Sequence, residues 1–176
     1  VGGGRGAIAP YLARQCHDVT VFDIDYRWDD RGDPSVQDRF IAWSRANHLN
    51  VRFGSLFNVP AEDESFDVVL SMSVMEHVPY KQFAMKEAMR ILRPGGLMVM
   101  SFDIALDVKP LEDAMRVEIF TPERLRIVLQ GLGIEDQPFA SDEISQSIRE
   151  IERDGVCGIP SGMTVGAIAI RKLACV

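Results

Sequence analysis

Short apolar runs of strand character alternate along this chain with segments of helical spacing, and that alternation restricts the fold more than any other feature. Residues 19–22, 51–53, 66–71, 97–102 and 165–171 are rich in β-branched and apolar side chains, and 134–139 reads as a further short strand. Between them, residues 5–15, 33–47, 80–92, 121–130 and 141–152 carry apolar residues at helical intervals. Asp33 before Pro34 and Thr121 before Pro122 are N-cap residues followed by proline at the first helical position. In the 80–92 segment the expected apolar face is Phe83, Ala84, Ala88, Ile91 and Leu92; in 141–152 it is Ile144, Ile148 and Ile151. Arg93, Pro94, Gly95 and Gly96 are expected to stop the first of these helices sharply. Strands separated by helices of this length form βαβ units and a mainly parallel sheet. No repeat or linker interrupts the pattern, so residues 1–176 are expected to form one domain.

Composition limits the function classes. The chain has 176 residues, with 47% apolar and 26% charged side chains, an ordinary globular mix. The net charge is −7, which disfavours a broad basic face for nucleic acid or anionic lipid. No apolar run approaches the roughly 18 residues of a membrane helix. Cys16, Cys157 and Cys175 are odd in number and widely spaced, so neither a disulfide framework nor a zinc site is expected, and a reducing, cytoplasmic setting fits them. No metal site is expected: the acidic run Asp23, Asp25, Asp29, Asp30 and Asp33 has Trp28 where a calcium loop requires glycine.

Gly2, Gly3, Gly4 and Gly6 open the chain and lead into a helix. Glycines there let the backbone turn tightly and let a ligand reach the N–H groups. Asp23 follows about 20 residues later, at the end of the next strand, where a carboxylate can accept both hydroxyls of a ribose. Gly2, Gly4 and Ala7 fit a dinucleotide fingerprint; Gly2, Gly4 and Gly6 fit an alternative nucleoside-cofactor spacing. The loop alone leaves both open.

Over roughly residues 1–135 the chain resembles the class I S-adenosylmethionine-dependent methyltransferases, in their small-molecule branch. The resemblance rests on VGGGRG at 1–6, VFDI at 21–24, GSL at 54–56, SFDVV at 65–69, SVMEHV at 73–78, LRPGG at 92–96 and FTPERL at 120–125, in the family's order and spacing. It implies a Rossmann-like, mainly parallel twisted sheet flanked by helices, with the last strand antiparallel and the first strand largely missing before Val1. It implies S-adenosyl-L-methionine as cofactor and methyl transfer to an oxygen, nitrogen or carbon nucleophile of a small-molecule acceptor. It further implies that Gly2, Gly4 and Gly6 pack on the methionine part and that Asp23 holds the ribose. Ile24 and Leu56 would cover the two faces of adenine. Ser55 would stand at the adenine amino group in place of the family's usual Asp, and Ser71 would offer its carbonyl to the cofactor's amino group. A non-catalytic protein of the same fold is the alternative, and an NAD(P)-dependent oxidoreductase a more distant one.

Glu76 and His77 invite a general base, since His is the common proton acceptor near neutral pH. The same pair occurs in the family beside acceptors that need no base, so an orienting or packing role is expected for His77. The end of the fourth expected strand reads Ser71, Met72, Ser73, Val74, unlike the motif of enzymes that methylate nucleobase amines. Met72, Met75, Met85 and Met89 are expected in the core or a pocket wall.

Overall fold

The computed structural model describes residues 6–15, 17–23, 34–106, 119–134, 139–154 and 162–173. In chain order the elements are α1 (Ile8–Arg14), β1 (Thr20–Asp23), α2 (Pro34–Ala46), β2 (Asn50–Phe53), β3 (Phe66–Met72), a 3-10 turn (Met75–His77), α3 (Lys81–Ile91), β4 (Leu92–Ala105), α4 (Pro122–Gln130), α5 (Ser141–Asp154) and β5 (Met163–Arg171). The α/β alternation read from the sequence is present. The strand expected over 134–139 and the connection expected at 26–32 fall wholly or largely outside the described residues; of the connection expected at 103–117, residues 103–105 belong instead to β4 and most of the rest lies outside them.

Two parallel pairings and one antiparallel pairing build the sheets. β1 and β2 pair in parallel from Thr20↔Asn50 to Asp23↔Phe53. β3 pairs in parallel with β4, and β4 pairs antiparallel with β5 from Leu97↔Arg171 to Ala105↔Met163. A continuous sheet was expected; among the described residues the strands form one sheet of two and one of three. Side chains join them: Phe22 of β1 meets Phe66 of β3 edge-on, with ring centroids 5.5 Å apart. Phe22 belongs to the larger core cluster, with Met85, Ile91, Met98, Met100, Phe102 and Phe120. A smaller core of Val21, Phe40 and Leu49 lies between β1, β2 and α2.

The cap expected at Thr121 is present, while the one expected at Asp33 lies outside the described residues. The Thr121 hydroxyl accepts from the N–H of Arg124 at 3.1 Å, ahead of Pro122 at the first helical position. In α3 the buried face is Ala84, Met85, Ala88 and Ile91, followed by Leu92. Phe83, expected on that face, is 62% exposed. One residue is about 100° of helical turn, so Phe83 falls outside the stripe that Ala84 and Ala88 define. Met75 and Met85 are buried as expected, while Met72 is largely exposed at the end of β3.

Residues 93–96 depart from expectation more informatively. They end α3, but they lie within β4, which starts at Leu92. The β3–β4 register jumps from Phe66↔Leu92 to Val68↔Leu97, so the extra residues bulge out of the ladder. Gly95 takes a φ of +77°, open to glycine at little steric cost. The end of β5 pins the bulge: Gly95 N–H donates to Lys172 O at 2.8 Å, and Lys172 N–H donates to Gly96 O at 3.0 Å. At Gly96 a Cβ would stand 2.7 Å from Leu92 Cδ1 and 2.9 Å from the carbonyl oxygens of Arg93 and Asp67.

Gly96→Ala should therefore cost about 1–3 kcal/mol of stability through forced backbone movement. Urea denaturation of the parent and variant reads this as a lower midpoint at unchanged slope. An unchanged midpoint would show that the bulge yields freely.

Candidate functional site

The strands of open α/β sheets present ligands at their carboxyl ends, and here those ends carry buried polar groups. Asp23 closes β1 at 8% exposure, and its carbonyl accepts from the N–H of Gly54 at 3.0 Å. That bond starts the loop at 54–65 directly beside Asp23. Ser55 is exposed on this loop, and its hydroxyl oxygen accepts from the N–H of Phe57 at 3.1 Å. Leu56 is half-buried against the larger core.

The loop is held by α3. Glu87 accepts from the N–H of Val59 at 2.8 Å. Arg90 donates to the carbonyls of Val59 at 3.1 Å and Ala61 at 3.0 Å, to Asp63, and to both oxygens of Glu87. Two adjacent turns of one helix thus satisfy backbone groups that no strand partner meets. The Arg90 guanidinium holds the Glu87 carboxyl below the usual carboxylate range. Glu87 and Asp63 in turn hold the Arg90 guanidinium firmly protonated.

At the end of β3 the chain turns out of the sheet. Ser73 adopts a φ of +51°, and its N–H reaches Ser101 of β4, both the carbonyl at 3.0 Å and the hydroxyl at 3.2 Å. Ser71 is 1% exposed, and its Oγ has no hydrogen-bond partner. Glu76, in the 3-10 turn, is likewise 1% exposed, and its Oε2 has no partner. Burial raises the Glu76 pKa above the usual carboxylate value; the N–H groups of Glu76 and Asp103 oppose the rise, and the nearby Asp103 charge adds to it. Burial also raises the pKa of Asp103 on β4, against the pull of the nearby His77 charge. His77 itself is exposed.

Of the residues expected in the site, Asp23, Ser55, Leu56 and Ser71 sit at or just past the carboxyl ends of β1, β2 and β3. Gly6 is exposed just ahead of α1. Gly2, Gly4 and Ile24 lie outside the described residues. Sequence reasoning did not find Asp103 or the Glu87–Arg90 pair, and it set Glu76 beside His77 without separating them. Only the spacing of Glu87 and Arg90 on one helix face hinted at the clamp.

The profile of the methyltransferase domain family matches residues 1–100. The chain belongs to the class I S-adenosylmethionine-dependent methyltransferases. It is 28% identical over 149 residues to the sarcosine/dimethylglycine N-methyltransferase of Halorhodospira halochloris, covering 79% of this chain and 51% of that protein. The chain therefore spans about half the length of that curated relative. Its fold matches geranyl diphosphate C-methyltransferase from Streptomyces coelicolor A3(2), bound to Mg2+, geranyl diphosphate and S-adenosyl-L-homocysteine. That match has a TM-score of 0.63 at 13% identity, over 98% of this chain and 69% of that one. The [4+2]-cyclase SpnF matches with a TM-score of 0.64 at 17% identity, over 98% and 72%. The family's cofactor is S-adenosyl-L-methionine, and this chain presents groups suited to it: a buried carboxylate at Asp23 and an orphaned buried hydroxyl at Ser71. Among the described residues no cluster of His, Cys, Asp and Glu could hold a metal ion, and no helix is long and apolar enough to cross a membrane.

The clamp carries a pH sign. A carboxyl whose folded pKa is lowered adds stability above its ordinary titration range, and that stability is lost as pH falls through the lowered value. Arg90→Met should abolish this acid-side loss, and should cost about 1–3 kcal/mol at pH 7 by stranding Glu87 and two carbonyls. Thermal unfolding across pH 3 to 7, parent against variant, measures both (~pH limits set by the carboxylate range). Parallel pH profiles would contradict the assignment.

Proposed function

We propose that this protein transfers a methyl group from S-adenosyl-L-methionine to an oxygen, nitrogen or carbon nucleophile of a small-molecule acceptor, by in-line displacement. The carrying observation is the set of buried polar groups at the carboxyl ends of β1 and β3, Asp23 and Ser71, with Leu56 on a loop that α3 holds. The bound cofactor supplies an activated methyl on a positively charged sulfur. The protein's own residues bind, orient and exclude water, and orientation alone can lower a barrier by several kcal/mol.

In this reading Gly2, Gly4 and Gly6 approach the methionine part and Asp23 holds the ribose hydroxyls. Ile24 and Leu56 enclose adenine, Ser55 meets its amino group, and Ser71 offers its carbonyl to the cofactor's amino group. The exposed His77 orients rather than acts as base. One domain spans residues 1–176 and works in the cytoplasm, without nucleic acid or membrane partners. The acceptor class stays broad because the similar proteins differ: one is named for a nitrogen acceptor, another for a carbon acceptor. The cyclase match keeps a second reading in play, a protein of this fold that binds the cofactor without methyl transfer.

The test is transfer of labelled methyl from S-adenosylmethionine to a panel that includes sarcosine, dimethylglycine and prenyl diphosphates. Transfer to any member supports the proposal; cofactor binding with no transfer across the panel favours the second reading. Asp23→Ala should weaken S-adenosylhomocysteine binding by about 2–4 kcal/mol, from two lost charge-assisted hydrogen bonds, in a folded protein. Calorimetry checks it, and unchanged affinity would move the ribose elsewhere. His77→Ala should lower turnover on the accepted panel member by less than about tenfold, or under roughly 1.4 kcal/mol of barrier. A loss of about 10³-fold with intact cofactor affinity would instead make His77 the base.

A further inference from the structure

Two carboxyl groups past the strand ends have no role in the account so far. Glu76 is 1% exposed, and Oε2 meets no hydrogen-bond partner. Asp103 is half-buried one strand over, close enough for its charge to act on Glu76. A buried carboxyl oxygen without a partner costs stability, so a fold that keeps one there leaves it for a ligand. Two neighbouring carboxyls in a desolvated place resist ionising together.

The surroundings decide the kind of ligand. Among the described residues, the titratable groups that act on Glu76 are Asp103 from β4 and His77 from its own turn. Two cations of neighbouring elements each donate to a backbone carbonyl. Lys81, in the first turn of α3, donates from Nζ to Val78 O at 3.1 Å and lies 5.4 Å from the Phe120 ring centroid. Arg124 of α4 donates to Ile119 O at 3.0 Å. Among the described groups, the Asp103 charge acts on Glu76 more strongly than the opposing His77 charge, and a cation entering the cleft relieves that imbalance.

We propose that Glu76 and Asp103 are a charge-reading carboxyl pair, which keeps one proton when no cation is present and releases it when the positively charged methyl donor binds. The inference rests on the cofactor reading above. No bond other than that to the proton changes. The proton passes from the pair to bulk water, by way of the half-buried Asp103, and leaves a carboxylate on Glu76. In this proposal that carboxylate is left for the positively charged donor, because its Oε2 has no partner among the described residues. S-adenosylhomocysteine lacks the charge, so it should leave the proton in place. The pair would favour the charged donor over the neutral product and so assist product exchange.

Calorimetry of the purified protein at pH 7, in phosphate and in Tris, counts protons released on binding. In the parent, S-adenosylmethionine should release more protons than S-adenosylhomocysteine, as linkage requires of a group that gives up its proton only to the charged ligand. Glu76→Gln should abolish the difference while binding S-adenosylhomocysteine within about threefold of the parent, equivalent to less than about 0.7 kcal/mol. The amide mimics the neutral acid, so this variant should be at least as stable as the parent at pH 7. Asp103→Asn should also reduce the difference, because Glu76 without its like-charged neighbour ionises more readily before any ligand arrives. Equal proton release for the two ligands in the parent, or a difference that persists in Glu76→Gln, overturns this proposal and leaves the cofactor reading intact. Binding of neither ligand by the parent overturns the cofactor reading and this proposal with it.

Discussion

β4 extends past β3, and the site follows from that overhang. The last β3–β4 pair is Met72↔Ser101, while β4 continues to Ala105. Backbone groups on the overhanging edge need partners in a dry core. Ser73 turns back to donate to Ser101, Phe120 donates to Asp103 O at 3.2 Å, and Ala105 donates to Phe120 O at 2.9 Å. These bonds fix where the chain leaves β3 and where it enters α4. They also seat the 3-10 turn of Glu76 and His77 beside Asp103. The left-handed φ of Ser73 is the local cost of that turn, and the bonds of its N–H to Ser101 help offset it.

A second constraint governs the loop at 54–65. It has little regular structure, so its conformation is imposed from α3 through Glu87 and Arg90. Arg90 alone binds two carbonyls and two carboxylates. The fork geometry of a guanidinium suits that task, where a lysine would make fewer directed bonds. The same helix packs Ala84, Met85 and Ala88 against the sheet, so core packing and loop position are mechanically linked.

Much of the architecture was legible in the sequence. Apolar periodicity located every described α-helix and the strands β1, β2, β3 and β5 to within a few residues, and the Thr121 cap and Pro122 gave the start of α4, but β4 begins at Leu92, earlier than expected. The role of residues 93–96 was only half legible. Gly95 and Gly96 signal a stop, but the bulge within β4 depends on pairing with β5 some 75 residues away. Asp23, Leu56 and Ser71 were readable because strand ends are readable. Glu76 and Asp103 were not readable as a pair, because only the overhang of β4 brings them together. A carboxyl buried to 1% looks, as a letter in a sequence, like any solvated Glu.

The central claim is that one ligand is held along the ends of β1, β2 and β3. A surface groove along α3, lined by Phe57, Tyr80, Phe83, Lys86, Glu87 and Arg90, contains none of Asp23, Leu56, Ser71 or Glu76. Titrating the 15N-labelled protein with S-adenosylhomocysteine and following the backbone amides separates the two places. The account predicts shifts centred on Asp23, Ser55, Leu56, Ser71 and Glu76, with Phe83 and Lys86 unmoved. Shifts confined to Phe57, Phe83 and Lys86, with the strand ends silent, would contradict it.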